Sequence, residues 1–334
     1  MRVFRCPACR SAVFPHDLAC GACGAALVWS VDAAGFAAEA MHCANRDEIN
    51  CNWAAPAPGA LCWACEMTEV IPDTFHGRNL SLWTEAERAK RQVLAGLGRW
   101  GWFRPDDPGP LPSFRMLSEE TRDGRRNVVM AHNRGIITIN VVEADLAERI
   151  DRRLALGEKM RTMTGHFRHE LAHLIFERLS ADQRFLAEFR ERMGDERLDY
   201  VQALQVYYDT GPPPGWESDY ITRYASAHPH EDWAETAAHV MHLTDIIDSA
   251  AAIGLCPAGQ TLADYDAYAE REAGRIVALG TQLSIAVNHI NRSIGIGDLY
   301  PFVLRDGVRE KLAFVHGWLA AGPREGARGD TAAQ

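Results

Sequence analysis

Apolar residues recur at Leu82, Trp83, Ala86, Ala89, Val93, Leu94 and Leu97. That three-and-four spacing is what one face of an α-helix produces, and it predicts a helix over residues 80–98. Glu85, Glu87, Arg88, Lys90 and Arg91 fall between these positions and are expected on the solvated face. Residues 1–70 show no such period. Large aliphatics are few there and cysteines many, so the stretch reads as a separate module whose own core is too small to fold it. After the helix, Pro105-Asp106-Asp107-Pro108-Gly109-Pro110 reads as a loop. Two β-rich runs, 127–130 and 136–142, flank a turn at Asn133-Arg134-Gly135 and predict a hairpin. Its 136–140 run is expected to offer a sheet edge to an extended peptide. From Glu143 onward helical periodicity dominates, broken at Gly211-Pro212-Pro213-Pro214-Gly215, and the small polar residues 321–334 read as a disordered tail. The expected class is α+β: a mostly helical body with a small β-sheet over residues 71–320, preceded by a Cys-rich module over 1–70.

Composition narrows the function. Of 334 residues, 47% are hydrophobic and 24% charged, which is enough apolar material for a sizeable core and too little charge to keep the chain unfolded. A net charge of −10 and a pI near 5.7 argue against a nucleic-acid partner, which needs a basic face. The first 70 residues alone carry four arginines against seven acidic residues, a balance suited to protein contacts. No apolar run reaches the roughly 18 to 20 residues that a membrane span requires, and the opening Met1-Arg2-Val3-Phe4-Arg5-Cys6-Pro7 lacks the apolar core of a secretory signal. A cytoplasmic protein with no membrane partner is expected.

In that compartment nine cysteines point to metal ligation more than to disulfides. Cys6-Pro7-Ala8-Cys9 and Cys20-Gly21-Ala22-Cys23 are two C-x-x-C knuckles, each able to place two thiolates on one side of an ion, so together they complete a structural zinc site. Cys43, Cys51, Cys62 and Cys65 supply a second four-thiolate set at wider spacing, with buried free thiols, or pairing interleaved with the first set, as the alternatives. Cys256 stands alone.

The sharpest motif is His169-Glu170-Leu171-Ala172-His173, inside an apolar helical run. Residues four apart share a helix face, so both imidazoles can hold one zinc while Glu170 serves as general base toward a zinc-activated water. Glu231 and Glu235, which share a face on a second helical stretch running to about Met241, supply a candidate third ligand and a carboxylate to receive a hydrogen bond from a ligand imidazole. His239 continues that face. The preceding loop, 220–230, is rich in groups able to meet an oxyanion.

The segments Asn79-Leu80-Ser81-Leu82-Trp83, Gly135-Ile136-Ile137-Thr138-Ile139-Asn140, Glu143-Ala144-Asp145, Gly165-His166-Phe167-Arg168-His169-Glu170, Gly194-Asp195-Glu196-Arg197 and His228-Pro229-His230-Glu231-Asp232-Trp233-Ala234-Glu235-Thr236 carry a resemblance. The chain is similar, from Cys6 to about Gly322, to the zinc-ribbon-bearing family of zinc-binding metallopeptidases, a gluzincin branch. Ala172 stands where that family usually has glycine, and His230 where it has an aromatic residue. The resemblance implies a metallopeptidase body with one catalytic zinc on His169, His173 and Glu231, two structural zincs in the Cys-rich module, Glu235 and His239 behind the ligands, and a peptide or protein substrate. Likeness to lethal-factor-type gluzincins implies Tyr224 as the hydrogen-bond donor to the transition state, with Tyr220 as the competitor. A protein partner docked by the ribbon is expected. The rival reading is an adaptor in which the ribbon binds a partner and the body is an inactive relic.

Overall fold

The computed structural model describes residues 2–145, 148, 162–299 and 303–323. The chain is mixed α/β and divides into two compact units, residues 1–157 with 161–167, and residues 158–160 with 168–334.

In the first unit the Cys-rich segment is built from two- and three-residue strands, Phe4–Arg5 with Ala12–Val13, Val28–Ser30 with Gly35–Ala37, and Met41–His42 with Ala54–Ala55. Single-turn helices follow at Arg46–Ile49 and Trp63–Glu66. Phe4, Trp29 and Phe36 meet edge-on with ring centroids 4.8 to 5.8 Å apart. The predicted helix is Asn79–Arg99 (α1), and its apolar stripe is buried as expected. Its charged face is not wholly solvated: Glu87, Lys90 and Arg91 are buried. The reason is a polar cluster under the Cys-rich segment. Lys90 Nζ lies 2.9 Å from Glu87, whose Oε1 also accepts from Thr68 Oγ1 at 2.6 Å.

Four strands, Thr68–Val70 (β1), Ser113–Leu117 (β2), Ala131–Asn133 (β3) and Ile136–Asn140 (β4), form a sheet in the order β3-β4-β2-β1. The β4 strand runs parallel to β2, pairing Ile136 with Ser113 and Asn140 with Leu117. Three sequence expectations change here. The first arm of the hairpin is Ala131–Asn133 and not 127–130, because Arg134 and Gly135 both take positive φ (47° and 80°) and form a two-residue turn that starts the pairing at Asn133 and Ile136. Ile136–Asn140 is flanked on both sides and offers no edge; β3 and β1 are the edge strands. Strand 136–142 also stops at Asn140, whose side-chain oxygen accepts from Val142 N at 3.2 Å and starts a 3₁₀ turn at Val141–Ala144.

The second unit is helical, with helix Met163–Leu179 (α2) crossing the division after Phe167. Gln183–Met193 (α3), Tyr200–Thr210 (α4), Pro229–Ala252 (α5), Ala273–Ser293 (α6) and Asp306–Ala321 (α7) follow. Phe176, Phe185, Phe189, Trp233, Phe314 and Trp318 interlock between α2, α3, α5 and α7, with ring centroids as close as 4.9 Å. Trp233 Nε1 donates to the Ala172 carbonyl at 2.8 Å, tying α5 to α2. Gly280 lets α6 approach α5, since a Cβ there would sit 2.8 Å from Leu243. Helix α5 runs well past Met241 because its apolar run continues inward through Leu243, Ile247 and Ala250. Ala321, placed in the tail by the sequence, is the last residue of α7, and residues 324–334 lie outside the described residues. Among the described residues no helix is long and apolar enough to cross a membrane.

Candidate metal centres

Turns in the Cys-rich segment bring Cys6, Cys9, Cys20 and Cys23 into one group and Cys43, Cys51, Cys62 and Cys65 into another, without interleaving. Sγ atoms are 3.8 Å apart for Cys6 and Cys23, 3.6 Å for Cys9 and Cys20, 3.6 Å for Cys51 and Cys62, and 3.7 Å for Cys51 and Cys65. A disulfide needs about 2.05 Å. Four sulfurs roughly 2.3 Å from a tetrahedral zinc are separated by about 3.8 Å, so both groups have the dimensions of a thiolate zinc site. The first is half open, with Cys9 and Cys23 exposed, and hydrogen bonding with Ser11 lowers the Cys9 thiol to about 6. The second is wholly buried, and Cys43 Sγ also accepts from Cys62 N at 3.2 Å. Cys256 belongs to neither group.

The third group stands on two long helices. α2 presents His169 and His173 on one face with their Nε2 atoms 3.1 Å apart. α5 delivers Glu231 from its first turn, with Oε2 at 3.1 Å from His169 Nε2 and 3.7 Å from His173 Nε2. Donors roughly 2.0 to 2.1 Å from a tetrahedral zinc lie about 3.3 to 3.4 Å apart, which these distances bracket. Glu231 Oε2 is buried and, among the described residues, has no hydrogen-bond partner, an unsatisfied oxygen of the kind a cation relieves. Burial alone would drive His169 down and Glu231 up. Instead the carboxylates of Glu231 and Glu235 hold the His169 imidazole well above its usual range, and the two imidazoles hold Glu231 well below its own.

The start of α5 is set locally. His228 caps it, its Nδ1 accepting from His230 N at 3.1 Å, and Pro229 takes the first helical position. Gly194 turns the chain at φ 99°, a conformation that favours glycine, and His228 Nε2 reaches the Leu198 carbonyl at 3.1 Å. One turn beyond Glu231, Glu235 Oε1 lies 2.7 Å from His169 Nδ1, where it can keep a proton on that nitrogen, so that Nε2 is the atom that would give up its proton to offer a lone pair to a metal. His239 Nδ1 lies 2.7 Å from the Glu235 carbonyl, and burial lowers its imidazole.

Glu170 is buried beside His169 on α2, and its charge reaches the Tyr200 hydroxyl. Tyr224 opens a 3₁₀ turn with its ring 6.2 Å from that of His169, and burial pushes its hydroxyl above the usual phenol range. Tyr220 is engaged elsewhere, under Lys311 Nζ at 4.2 Å, and Lys311 pairs with the buried Asp232 at 2.6 Å. His230 stays outside the converging donors and packs on Phe176 at 4.7 Å, where burial lowers it to about 4. A cleft of about 480 Å³ between α3 and α7, lined by Arg184, Arg192, Glu310, Phe314 and Trp318 among others, holds none of these donors. One residue escaped the sequence reading. Tyr200, the first residue of α4, donates its hydroxyl to Glu231 Oε1 at 2.6 Å. The only hint was its place just after the Gly194-Asp195-Glu196-Arg197 segment.

Comparison with known proteins agrees with this chemistry at the level of family. Uncharacterized proteins of Mycobacterium bovis and of two strains of Mycobacterium tuberculosis are each 38% identical over 327 residues, covering 95% of this chain and 94% of the relative. No solved structure matches the chain. Residues 79–318 match a family described as "Putative zinc-binding metallo-peptidase". The match takes in His169, His173 and Glu231 and well over half of the sequence, and the chain belongs to that family.

Proposed function

We propose that this protein is a cytoplasmic zinc metallopeptidase of the gluzincin type, with a catalytic centre at His169, His173 and Glu231 and two structural zincs in its Cys-rich segment. The observation that carries this reading is the convergence of three donor atoms, all within 4.8 Å of one another, beside a buried glutamate that is not among them. Three protein ligands leave a position open for chemistry, whereas four thiolates close it. When bound, zinc supplies a Lewis acid that polarises the scissile carbonyl and brings the pKa of water toward neutrality.

The chain's own residues do the rest. Glu170 accepts the proton of the water whose oxygen attacks the carbonyl carbon, and gives that proton to the amine nitrogen as the carbon–nitrogen bond breaks. Glu235 holds His169 in the tautomer that ligates. Tyr224 keeps its proton at neutral pH and donates a hydrogen bond to the carbonyl oxygen as that atom becomes negative. The acidic Cys-rich segment docks a protein, either substrate or partner.

The test is purified protein incubated with an unstructured polypeptide and scored for new amino termini. Wild type should generate them, a chelator should abolish them, and Glu170→Gln should keep its metal yet lose on the order of 10²–10⁴-fold in rate. Metal-loaded wild type that makes no new termini would favour the adaptor reading.

A further inference from the structure

Glu231 is 1% exposed, so both of its carboxylate oxygens must be satisfied from inside the protein. They face different partners. Oε2 points to the two imidazoles, at 3.1 and 3.7 Å, and Oε1 accepts the Tyr200 hydroxyl at 2.6 Å. A carboxylate with a free second oxygen can rotate to offer both to a cation or swing away from it. One whose second oxygen is held by a donor presents a single oxygen in one direction.

We propose that Tyr200 is a positioning residue that fixes Glu231 as a one-oxygen ligand, and thereby sets how tightly the His169/His173/Glu231 centre holds its metal. This rests on the reading of that centre as a zinc site. The placement of Tyr200 supports the role. It opens helix α4, where Asp199 caps by accepting from Gln202 N at 2.9 Å, so the residue is fixed at a helix start and not in a free loop. Its ring packs edge-on against His228 at 5.2 Å, and His228 is the cap from which Glu231 is reached three residues later. Tyr200 and the start of α5 are therefore held to each other at two points, the ring and the hydroxyl. The side chains of α4 are half-buried or exposed, so the helix contributes little core and its contact with Glu231 stands out as a reason for its position.

The test is Tyr200→Phe, which removes one oxygen and keeps the ring. The full chain with its thiol clusters loaded is titrated with Zn²⁺ against a chromophoric chelator, and with Co²⁺ to read the d–d bands of the His/His/Glu centre. The variant should bind the third metal about 10- to 100-fold more weakly, with shifted cobalt bands. Tyr208→Phe, on the exposed side of the same helix, should match wild type. In a double-mutant cycle, Tyr200→Phe should have little further effect once Glu231 is alanine. Unchanged affinity, or losses that simply add in the cycle, would overturn the role of Tyr200 and leave the peptidase reading intact. If Tyr200→Phe fails to fold, Tyr200→His, whose shorter side chain withdraws the donor from Glu231, should bind the third metal more weakly than wild type, and wild-type affinity in that variant would overturn the role. Wild type that binds only two metals would overturn both readings together.

Discussion

The buried thiol cluster at Cys43, Cys51, Cys62 and Cys65 and the group at His169, His173 and Glu231 gather their donors in opposite ways. The cluster draws on turns and single-turn helices in a segment with a thin apolar core, and its four sulfurs lie where a tetrahedral ion would need them. The His/Glu group sits on two long helices joined by interlocked aromatics and the Trp233 hydrogen bond to Ala172. On the proposed reading, a metal in the first case would supply folding energy, since the segment has little apolar core of its own. In the second the frame precedes the metal, and the three donors, the adjacent Glu170 and the polar groups behind them can be arranged for chemistry.

The largest expected effect tests the folding half of this contrast. Cys51→Ala should remove one zinc and with it something like 10 kcal/mol of the energy that orders its segment, so amide-exchange protection over residues 43–70 should be lost. His173→Ala should also remove one zinc but leave the helical far-ultraviolet signal and the unfolding midpoint of the second unit nearly unchanged. Comparable unfolding in both variants would break the comparison.

Next in size is the claim that the frame of the His/Glu centre rests on its own interactions. Lys311 pairs with Asp232 at 2.6 Å directly beside Glu231, and the carboxylate is fully buried. Lys311→Met leaves that charge without its partner and should cost about 3 to 5 kcal/mol near neutral pH, measured by urea unfolding. Burial already raises Asp232 to about 6 against the pull of Lys311. A carboxyl raised above its unfolded value favours the folded state less as pH climbs from about 4 through the folded pKa. The variant should therefore recover much of its loss by pH 5, and a deficit independent of pH would mean that Asp232 is not the group responsible.

Tyr224→Phe then asks whether the frame serves a reaction. If the hydroxyl meets the developing oxyanion, kcat should fall on the order of 100-fold or more, about 2.7 to 4 kcal/mol, with KM and metal content little changed. A near-normal rate would leave Tyr224 as a ring packed near His169 and Tyr207.

The grouping of the donor residues was legible in the sequence because each group rests on a local rule. A C-x-x-C knuckle and an H-E-x-x-H helix bring donors together within one turn, and the face shared by Glu231 and Glu235 follows from helical period. Misreadings came where partners are distant in sequence. Glu87 and Lys90 were expected in solvent because the helix pattern cannot show Thr68 arriving from the Cys-rich segment. Ile136–Asn140 was expected at an edge because a parallel neighbour, Ser113–Leu117, leaves no turn signal to read. Tyr200 lies 31 residues before Glu231 on a helix of its own, and its place after the Gly194-Asp195-Glu196-Arg197 segment does not reveal which carboxylate it meets. Of the three lysines in the sequence, Lys90 and Lys311 each sit in a buried ion pair where a compact ammonium fits, with partners the sequence does not point to.

The smallest effect concerns the carboxylate behind a ligand. Glu235 holds the proton on His169 Nδ1, and removing such a partner commonly costs 10- to 100-fold in metal affinity, about 1.4 to 2.7 kcal/mol. Two opposed contributions make up that loss in Glu235→Ala. Orientation of the imidazole is weakened, which lowers affinity at every pH. Glu235 is also one of the two carboxylates that hold His169 well above its usual range, so in the metal-free protein a proton must leave before the nitrogen can ligate. Taking Glu235 away lowers that competition. The variant's affinity should therefore fall less steeply on acidification than that of wild type, and its deficit should be larger at pH 8 than at pH 6. Calorimetry in buffers of different ionisation enthalpy should show fewer protons released per zinc at this centre, while the thiol clusters, whose sulfurs Glu235 does not touch, should release the same number as before. A deficit equal at both pH values would mean that Glu235 orients His169 without governing its proton.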